Sequence, residues 1–359
     1  MNKTGTKIKV AVVGGSGYTG VELIRLLLDH PSVDLVSVTS RSEAGCGLAD
    51  VFPHFRGHPA AEPLVFELPE LDVLEKADIV FFATPNGTAM KSVRALVAAG
   101  VRVIDLAADF RLESAEQWEE WYNMAHEAED VLAHAVYGLA DLFGQDVSQA
   151  SVVANPGCYP TSVQLPLRPL IAADLIDVTQ PIIADCKSGV SGAGRSGQVA
   201  HSYAEVSEDF TAYGIEKHRH WIEIYNGLKQ MQVDSSVPLD FTFTPHLLPM
   251  PRGIFSTVYA SLKDPTDTGL ANAREVLRST YEQSPFVHLL PEGTVPHTKS
   301  VRGGNSCHFN VFLSCSGKLV VASVIDNLLK GAAGQAVQNM NLMFQRPVTE
   351  GLAVVGITP

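Results

Sequence analysis

Val10-Ala11-Val12-Val13-Gly14-Gly15-Ser16-Gly17-Tyr18-Thr19-Gly20 decides the fold of this chain. The apolar, β-branched run from Ile8 to Val13 reads as a strand that stops at glycines. Val21 to Leu28 then carries Leu23, Leu26 and Leu27 at helical spacing. Strand, glycine turn and helix in this order let backbone N–H groups approach a pyrophosphate at a helix N-terminus. The spacing is Gly14-x-x-Gly17-x-x-Gly20 rather than the commoner Gly-x-Gly-x-x-Gly, so a plain structural turn also fits. Its position between a clear strand and an amphipathic helix favours a dinucleotide site built from Gly14, Gly15, Ser16, Gly17, Tyr18, Thr19 and Gly20. NAD-preferring domains place an acidic residue at the end of the second strand, about 20 residues further on. Here Thr39-Ser40-Arg41-Ser42 stands in that place. An arginine flanked by hydroxyls suits a 2′-phosphate that a carboxylate would repel. NADP(H) is therefore the expected cofactor, with Ser40 and Arg41 as contacts; a solvated surface arginine is the plainer reading of Arg41.

Working outward, Val33 to Val38, Ile79 to Ala83 and Val101 to Leu106 read as further strands, and Ala89 to Ala99 as helical. Alternating strands and helices predict parallel βαβ units. Gly45 to Pro69, rich in Gly and Pro, reads as an excursion or a hairpin with loops. After Cys158 the pattern changes. Ser162 to Asp174 begins helical despite Pro166 and Pro169. Ile182 to Lys187, Asp240 to Pro245, Gly253 to Leu262, Ser306 to Leu313 and Lys318 to Val324 are strand candidates. Several alternate, which fits an antiparallel or mixed sheet with one covered face. Asp326 to Phe344 turns helical again. The expected fold class is α/β, with a Rossmann-type doubly wound nucleotide domain over residues 1–157, completed by a returning helix in 326–359. Residues 158–325 are expected to form an α+β catalytic and dimerisation domain with a mixed, largely antiparallel sheet.

The 359 residues are enough for two domains. With 46% hydrophobic and 18% charged residues the chain has ample material for a core. A net charge of -13 argues against nucleic acid or an anionic membrane as the main partner. A small anionic substrate then requires a local basic pocket. The apolar stretch near the N-terminus is too short for a signal peptide or a membrane span, so a cytoplasmic location is expected. Cys46, Cys158, Cys186, Cys307 and Cys315 are scattered and form no Cys-x-x-Cys pair. That fits reduced thiols, and neither a disulfide framework nor a zinc site.

Asn155-Pro156-Gly157-Cys158-Tyr159-Pro160-Thr161 places a thiol directly after a Pro-Gly pair and between two prolines. The prolines fix φ and Gly157 widens it, so the run reads as a stiff corner and not as a plain strand or a mid-helix turn. A corner that presents one side chain suits a nucleophile; a packed thiol in a tight loop fits equally well. A catalytic thiol needs a proton-transfer partner, usually histidine. Glu216-Lys217-His218-Arg219-His220-Trp221-Ile222-Glu223 offers two. On a helix His220 shares a face with Glu223 and with Glu216, so a carboxylate can orient the imidazole. A solvated basic face is the plainer reading, and nothing nearby completes a metal site around the His-x-His pair. Ser188-Gly189-Val190-Ser191-Gly192-Ala193-Gly194-Arg195 offers backbone N–H groups and a guanidinium to an anion, or is a flexible surface loop. Arg111 and Arg252 are further candidates for substrate anions or for structural ion pairs.

Assembled, these residues resemble the N-acetyl-gamma-glutamyl-phosphate reductases of arginine biosynthesis, nearly end to end. The resemblance rests on the glycine turn, on Asp105-Leu106-Ala107-Ala108-Asp109-Phe110-Arg111, on Tyr137-Gly138-Leu139 and on the Asn155 to Thr161 run. It continues through Ser188 to Arg195, His218-Arg219-His220 and Asp326-Asn327-Leu328-Leu329-Lys330-Gly331-Ala332-Ala333-Gly334-Gln335-Ala336. Departures are Ile222 where Pro is usual, Asn86 where His is common and Ala107 where Ser is common; none removes a reactive group. The resemblance implies NADPH-dependent reductive dephosphorylation of an acyl phosphate through a thioester on Cys158. It implies His218 as acid and base, with His220 and Glu223 supporting. It also implies cofactor contacts at Pro85, Ser188, Gly189 and Asn327, and substrate contacts at Arg111, Asn155, Ser191, Gly192 and Arg195. No metal is implied, and a homo-oligomer, dimer or tetramer, is. The nearest rival is aspartate-semialdehyde dehydrogenase, whose cysteine context usually carries Gln or Asn where this chain has Tyr159-Pro160. A Cys-His hydrolase or acyltransferase would not need the glycine turn, and an inactive nucleotide-binding regulator would not need the thiol and histidines.

Overall fold

The computed structural model describes residues 7–195, 197–352 and 355–357. Within these, the chain forms two compact units, one of residues 7–156 with 332–352 and one of 157–331 with 355–357. The segment returning to the first unit is thus shorter than the expected 326–359: residues 326–331 and 355–357 stay with the second unit. Residues 1–6, 196, 353–354 and 358–359 of the expected domains lie outside the described residues.

The first unit is built on seven parallel strands, β1 (Ile8–Val13), β2 (Val33–Thr39), β3 (Phe66–Glu67), β4 (Ile79–Phe82), β5 (Arg102–Asp105), β6 (Val136–Tyr137) and β7 (Val152–Ala154). Their order is β3-β2-β1-β4-β5-β7-β6. β1 lies between β2 and β4 and is buried over Val10 to Val13, which is why its sequence is continuously apolar rather than alternating. The helix Tyr18–Leu28 buries Leu23, Ile24, Leu26 and Leu27. It starts three residues before Val21, inside the glycine motif itself. The stretch Gly45 to Pro69 is an excursion whose ends close on one another through the antiparallel bridge of Gly47 with Val65 and the bond from the Gly45 N–H to the Phe66 carbonyl at 2.8 Å. It holds the short helix Leu48–Val51 and then supplies β3, paired in parallel with the end of β2 through Val38 and Phe66. Two residues are too few to show a period, so the sequence does not announce this strand. The returning helix Gly334–Met343 packs on the helices Ala140–Gln149 and Tyr18–Leu28. Its buried Asn339 and Asn341 are bonded, Asn341 Nδ2 donating to the carbonyls of Val348 and Glu350.

The second unit has β8 (Ile182–Gly189), β9 (Thr211–Ala212), β10 (Phe241–Leu248), β11 (Ile254–Ala260), β12 (Val287–Leu289), β13 (Cys307–Leu313) and β14 (Leu319–Ile325). They run in the order β12-β13-β14-β11-β8-β10-β9. The β12–β13 and β8–β10 pairs are parallel and the others antiparallel, as the mixed, largely antiparallel expectation has it. The helices Cys158–Ala172 and Asp267–Tyr281 pack on one face of this sheet, and Arg219–Lys229 packs beside the first of them. On the opposite face Ile183, Tyr259, Val320 and Phe312 stand in one row across four strands. Ile183 and Tyr259 in that row are exposed and Val320 and Phe312 half-buried. Among the described residues no helix is long and apolar enough to cross a membrane.

Candidate active site

The glycine turn closes by bonding to the end of the second strand: Gly14 and Gly15 both donate to the Thr39 carbonyl, at 3.1 and 2.9 Å. Gly14 has φ +84°, and a Cβ there would fall 2.3 Å from the Ala83 carbonyl oxygen, so only glycine fits. At Gly17 a Cβ would meet only the Gly14 carbonyl oxygen, at 3.8 Å, which leaves open space at the start of the helix. That opening, with the first N–H groups of an 11-residue helix beside it, fits the pyrophosphate of a dinucleotide. Ser16 Oγ and Ser40 Oγ lie 2.8 Å apart, and Ser40 Oγ lies 3.2 Å from Ser42 Oγ. Thr39 is thereby tied to the turn, and Arg41 follows two residues later. Arg41 is exposed and has no ion-pair partner among the described residues, so it is available to a 2′-phosphate. Pro85 is exposed in the loop after β4. The rest of that loop is anchored, Gly87 and Met90 donating to the Asp109 carboxylate at 2.8 and 3.2 Å.

Arg111 and Asn155 come together in the first unit, and the side chain of each donates to a backbone carbonyl. Arg111 Nε donates to the Asn155 carbonyl at 2.8 Å and Nη2 to the Leu106 carbonyl at 2.7 Å. Asn155 is fully buried. Its Oδ1 accepts from Asn339 Nδ2 at 3.0 Å, and its Nδ2 donates to the Ala332 carbonyl at 3.3 Å. Burial pushes the neighbouring Asp105 carboxyl well above the usual range, and that of Asp109 upward. Arg111 opposes that rise at Asp105.

In the second unit the stiff corner at Cys158 turns out to be a helix start. Gly157 is the extended N-cap, and Cys158 is the first residue of the 15-residue helix Cys158–Ala172. Pro160 sits in the first turn, where a missing N–H costs nothing because those donors have no intrahelical acceptor. A thiolate at this position faces the positive end of the helix. The N-cap is held from outside: Glu223 Oε1 accepts the Gly157 N–H at 2.8 Å, and Glu223 is buried.

The histidine segment is not helical throughout. The helix is Arg219–Lys229 with His218 as its N-cap, so Glu216 lies outside it and cannot share a helical face with His220. His218 Nδ1 accepts the His220 N–H at 3.1 Å, which leaves Nε2 to carry the proton of the neutral ring. Burial, aided by Arg219, lowers the His218 imidazole to about 4. Both histidine rings meet the Tyr159 ring edge to face, with centroids 6.1 and 5.9 Å away, and lie 5.0 Å from one another. Tyr213 donates to the Tyr159 hydroxyl at 3.2 Å, and Tyr159 donates to the His246 carbonyl at 3.1 Å. Burial raises both phenols, Tyr213 to about 12, so both remain donors at neutral pH. Tyr159 and Tyr213 escape a reading by motif; the only signal is that Tyr159 directly follows the cysteine.

The loop after β8 is less open than its composition suggests. The N–H groups of Gly189, Val190 and Ser191 donate to the carbonyls of Gly253, Met250 and Pro251. A Cβ on Gly189 would meet the Met250 carbonyl oxygen at 2.7 Å, so this glycine serves close backbone approach. Asn327 locks the arrangement, accepting from Gly253 N–H at 2.8 Å and donating to Ser191 Oγ at 2.9 Å. Ser188 is buried beneath the loop, while Gly192 and Arg195 are exposed on it. Of the other thiols, Cys186 is fully buried and pushed up to about 12 by that burial, which makes it an inert packing residue. Among the described residues no three His, Cys, Asp or Glu side chains come together as metal ligands.

A parallel nucleotide-type sheet, followed by a mixed-sheet unit that opens on a thiol at a helix start, defines a two-domain dehydrogenase. Residues 9–150 match the NAD binding domain of semialdehyde dehydrogenase and residues 158–327 its dimerisation domain. The chain belongs to the semialdehyde dehydrogenase family. Within it, an N-acetyl-gamma-glutamyl-phosphate reductase of Neisseria meningitidis serogroup C is 52% identical over 354 residues, 98% of this chain and 99% of that one. The protein of the same name from Laribacter hongkongensis is 51% identical over 98% of this chain and 100% of its own. Among solved structures, aspartate semialdehyde dehydrogenase II of Vibrio cholerae has TM-score 0.71 at 17% identity, covering 95% of this chain and 99% of its own. That of Candida albicans with NADP has TM-score 0.69 at 15% identity, over 94% and 99%. At such identities these two show the fold alone.

Proposed function

We propose that this chain catalyses the reversible, NADPH-dependent reductive dephosphorylation of N-acetyl-L-glutamyl 5-phosphate to N-acetyl-L-glutamate 5-semialdehyde and phosphate, a step of arginine biosynthesis. The observation that carries the reading is Cys158 at the start of its helix, its N-cap held by Glu223, with the His218 and His220 rings edge to face on Tyr159, the next residue. Near-full-length relatives named for this reaction support the substrate.

The helix N-terminus stabilises the Cys158 thiolate. The sulfur attacks the γ-acyl carbon, a C–S bond forms, and the bond from that carbon to the phosphate oxygen breaks. Phosphate leaves and a thioester remains on Cys158. NADPH, which the Gly14 to Gly20 turn with Ser40 and Arg41 would hold, would supply the hydride needed to reduce the thioester. Collapse of the hemithioacetal breaks the C–S bond and frees the semialdehyde and the thiolate. His218 is neutral and presents Nε2–H, so it donates a hydrogen bond to the negative charge that develops on oxygen. Glu223 holds the backbone N–H just before the thiol; Gly192 and Arg195 on the exposed loop, with Arg111 and Asn155, are the proposed substrate contacts.

The protein works in the cytoplasm as a homo-oligomer joined through the open face of its second sheet, where Ile183, Tyr259, Val320 and Phe312 form an apolar row. The test is Cys158→Ser together with mass spectrometric trapping of the acyl-enzyme. The expected results are a covalent adduct on wild-type Cys158 and an inactive variant; a fully active variant rejects the thioester route. With phosphate and NADP+, oxidation of aspartate semialdehyde but not of the N-acetylated substrate would assign the rival reaction.

A further inference from the structure

The turn after Asp326 bears directly on the thiol. Leu329–Ala333 is a π-helical turn, a rare form frequent at functional sites. Asp326, fully buried, anchors it. One carboxylate oxygen accepts the N–H groups of Leu328 and Leu329 at 2.9 and 3.3 Å, and the other accepts that of Gly303 at 2.9 Å. The Asp326 carbonyl accepts the Gly331 N–H at 3.0 Å. Lys330 is buried, its ammonium 5.3 Å from the centre of the Phe286 ring. Cys158 lies against this turn. A Cβ built on Gly331 would fall 2.7 Å from Cys158 Cβ, 3.1 Å from Cys158 Cα and 3.2 Å from Ile325 Cδ1. The φ of Gly331 is not positive, so it is the close approach and not the backbone conformation that calls for glycine here.

We propose that Gly331 is a positioning residue for the reaction: the anchored π-turn is the wall against which Cys158 is seated, and the missing side chain at 331 makes the seat. The inference rests on the reading of Cys158 as nucleophile. The turn is held by Asp326 and the start of the Cys158 helix by Glu223. A methyl group at 331 overlaps Cys158 Cβ and Cα, so with both backbones held the overlap is relieved by displacing the Cys158 side chain.

The experiment compares Gly331→Ala with wild type in kcat, KM, alkylation of Cys158 by iodoacetamide and NADPH binding by fluorescence. A displacement of about 1 Å lowers kcat by about 100-fold with KM little changed. Alkylation slows in parallel and NADPH affinity stays as in wild type. A folded Gly331→Ala with wild-type kcat and alkylation rate overturns the proposal. If that variant fails to fold, Cys158→Gly combined with Gly331→Ala decides. Recovery of folding on removing the Cys158 side chain supports the seat, and continued failure places the clash elsewhere and rejects it. Failure of the nucleophile reading is seen separately, as full activity of Cys158→Ser.

Discussion

Glu223 and Gly157 are joined by a single hydrogen bond of 2.8 Å, a buried carboxylate holding the backbone N–H that precedes the thiol. The bond ties the helix Arg219–Lys229, which His218 caps, to the start of the helix that carries Cys158. Glu223 thus acts on the position of the nucleophile. Glu223→Ala leaves the buried Gly157 N–H without its acceptor, a loss of about 1–3 kcal/mol. We expect a lower melting temperature and slower alkylation of Cys158. Glu223→Gln retains an acceptor and is expected to recover most of the stability. Equal loss in both variants would show that the charge, and not the acceptor, is what matters.

His218 makes stability depend on pH. Its folded value of about 4 lies below the ordinary 6.5. In that interval the unfolded chain takes up a proton that the folded chain refuses. The stabilisation is present above 6.5 and lost as pH falls toward 4, at most about 3 kcal/mol. His218→Asn keeps a good N-cap and removes the titration. Urea unfolding from pH 7 to 4 should show a flatter dependence in the variant, together with a large loss of reductase activity.

Arg41 is expected to select NADPH. Arg41→Ala should raise the KM for NADPH about tenfold or more, as loss of a charge-assisted contact of at least about 1.4 kcal/mol implies, and leave that for NADH nearly unchanged. An unaltered ratio of the two cofactors removes Arg41 from the site.

The row Ile183, Tyr259, Val320 and Phe312 is the proposed contact between copies. Tyr259→Asp with Val320→Asp places charge on its centre and should reduce the assembly to a smaller species in analytical ultracentrifugation. Far-ultraviolet circular dichroism should be unchanged, since Tyr259 is exposed and Val320 half-buried on a face the helices do not cover. An unchanged sedimentation coefficient would move the interface elsewhere.

Much of the fold was legible because its signals are local. A strand flanked on both sides is continuously apolar, as Val10 to Val13 is, and a left-handed turn needs glycine, as Gly14 does at φ +84°. β3 was not legible, since its two residues show no period and owe their conformation to pairing with Val38 and Thr39. The candidate site divides in the same way. Cys158 and the two histidines announce themselves by residue type. The sequence does not reveal that the donors of Gly189, Val190 and Ser191 are taken up by the segment 250–253.

By itself the sequence determined the longer strands β1, β2, β4, β5, β8, β10, β11, β13 and β14, the glycine turn, and a thiol held between prolines. These depend on neighbours within a few residues, through backbone sterics and the 2.0 and 3.6 periods. Only the tertiary structure decided that the proline corner is a helix start, that Glu223 holds it, that His218 spends Nδ1 on a cap, and that Gly331 stands behind Cys158. Apart from the cap, those contacts join residues far apart in the chain, and burial selects them. A carboxylate or a glycine acquires its role from whatever packing sets against it, and no local pattern records that partner.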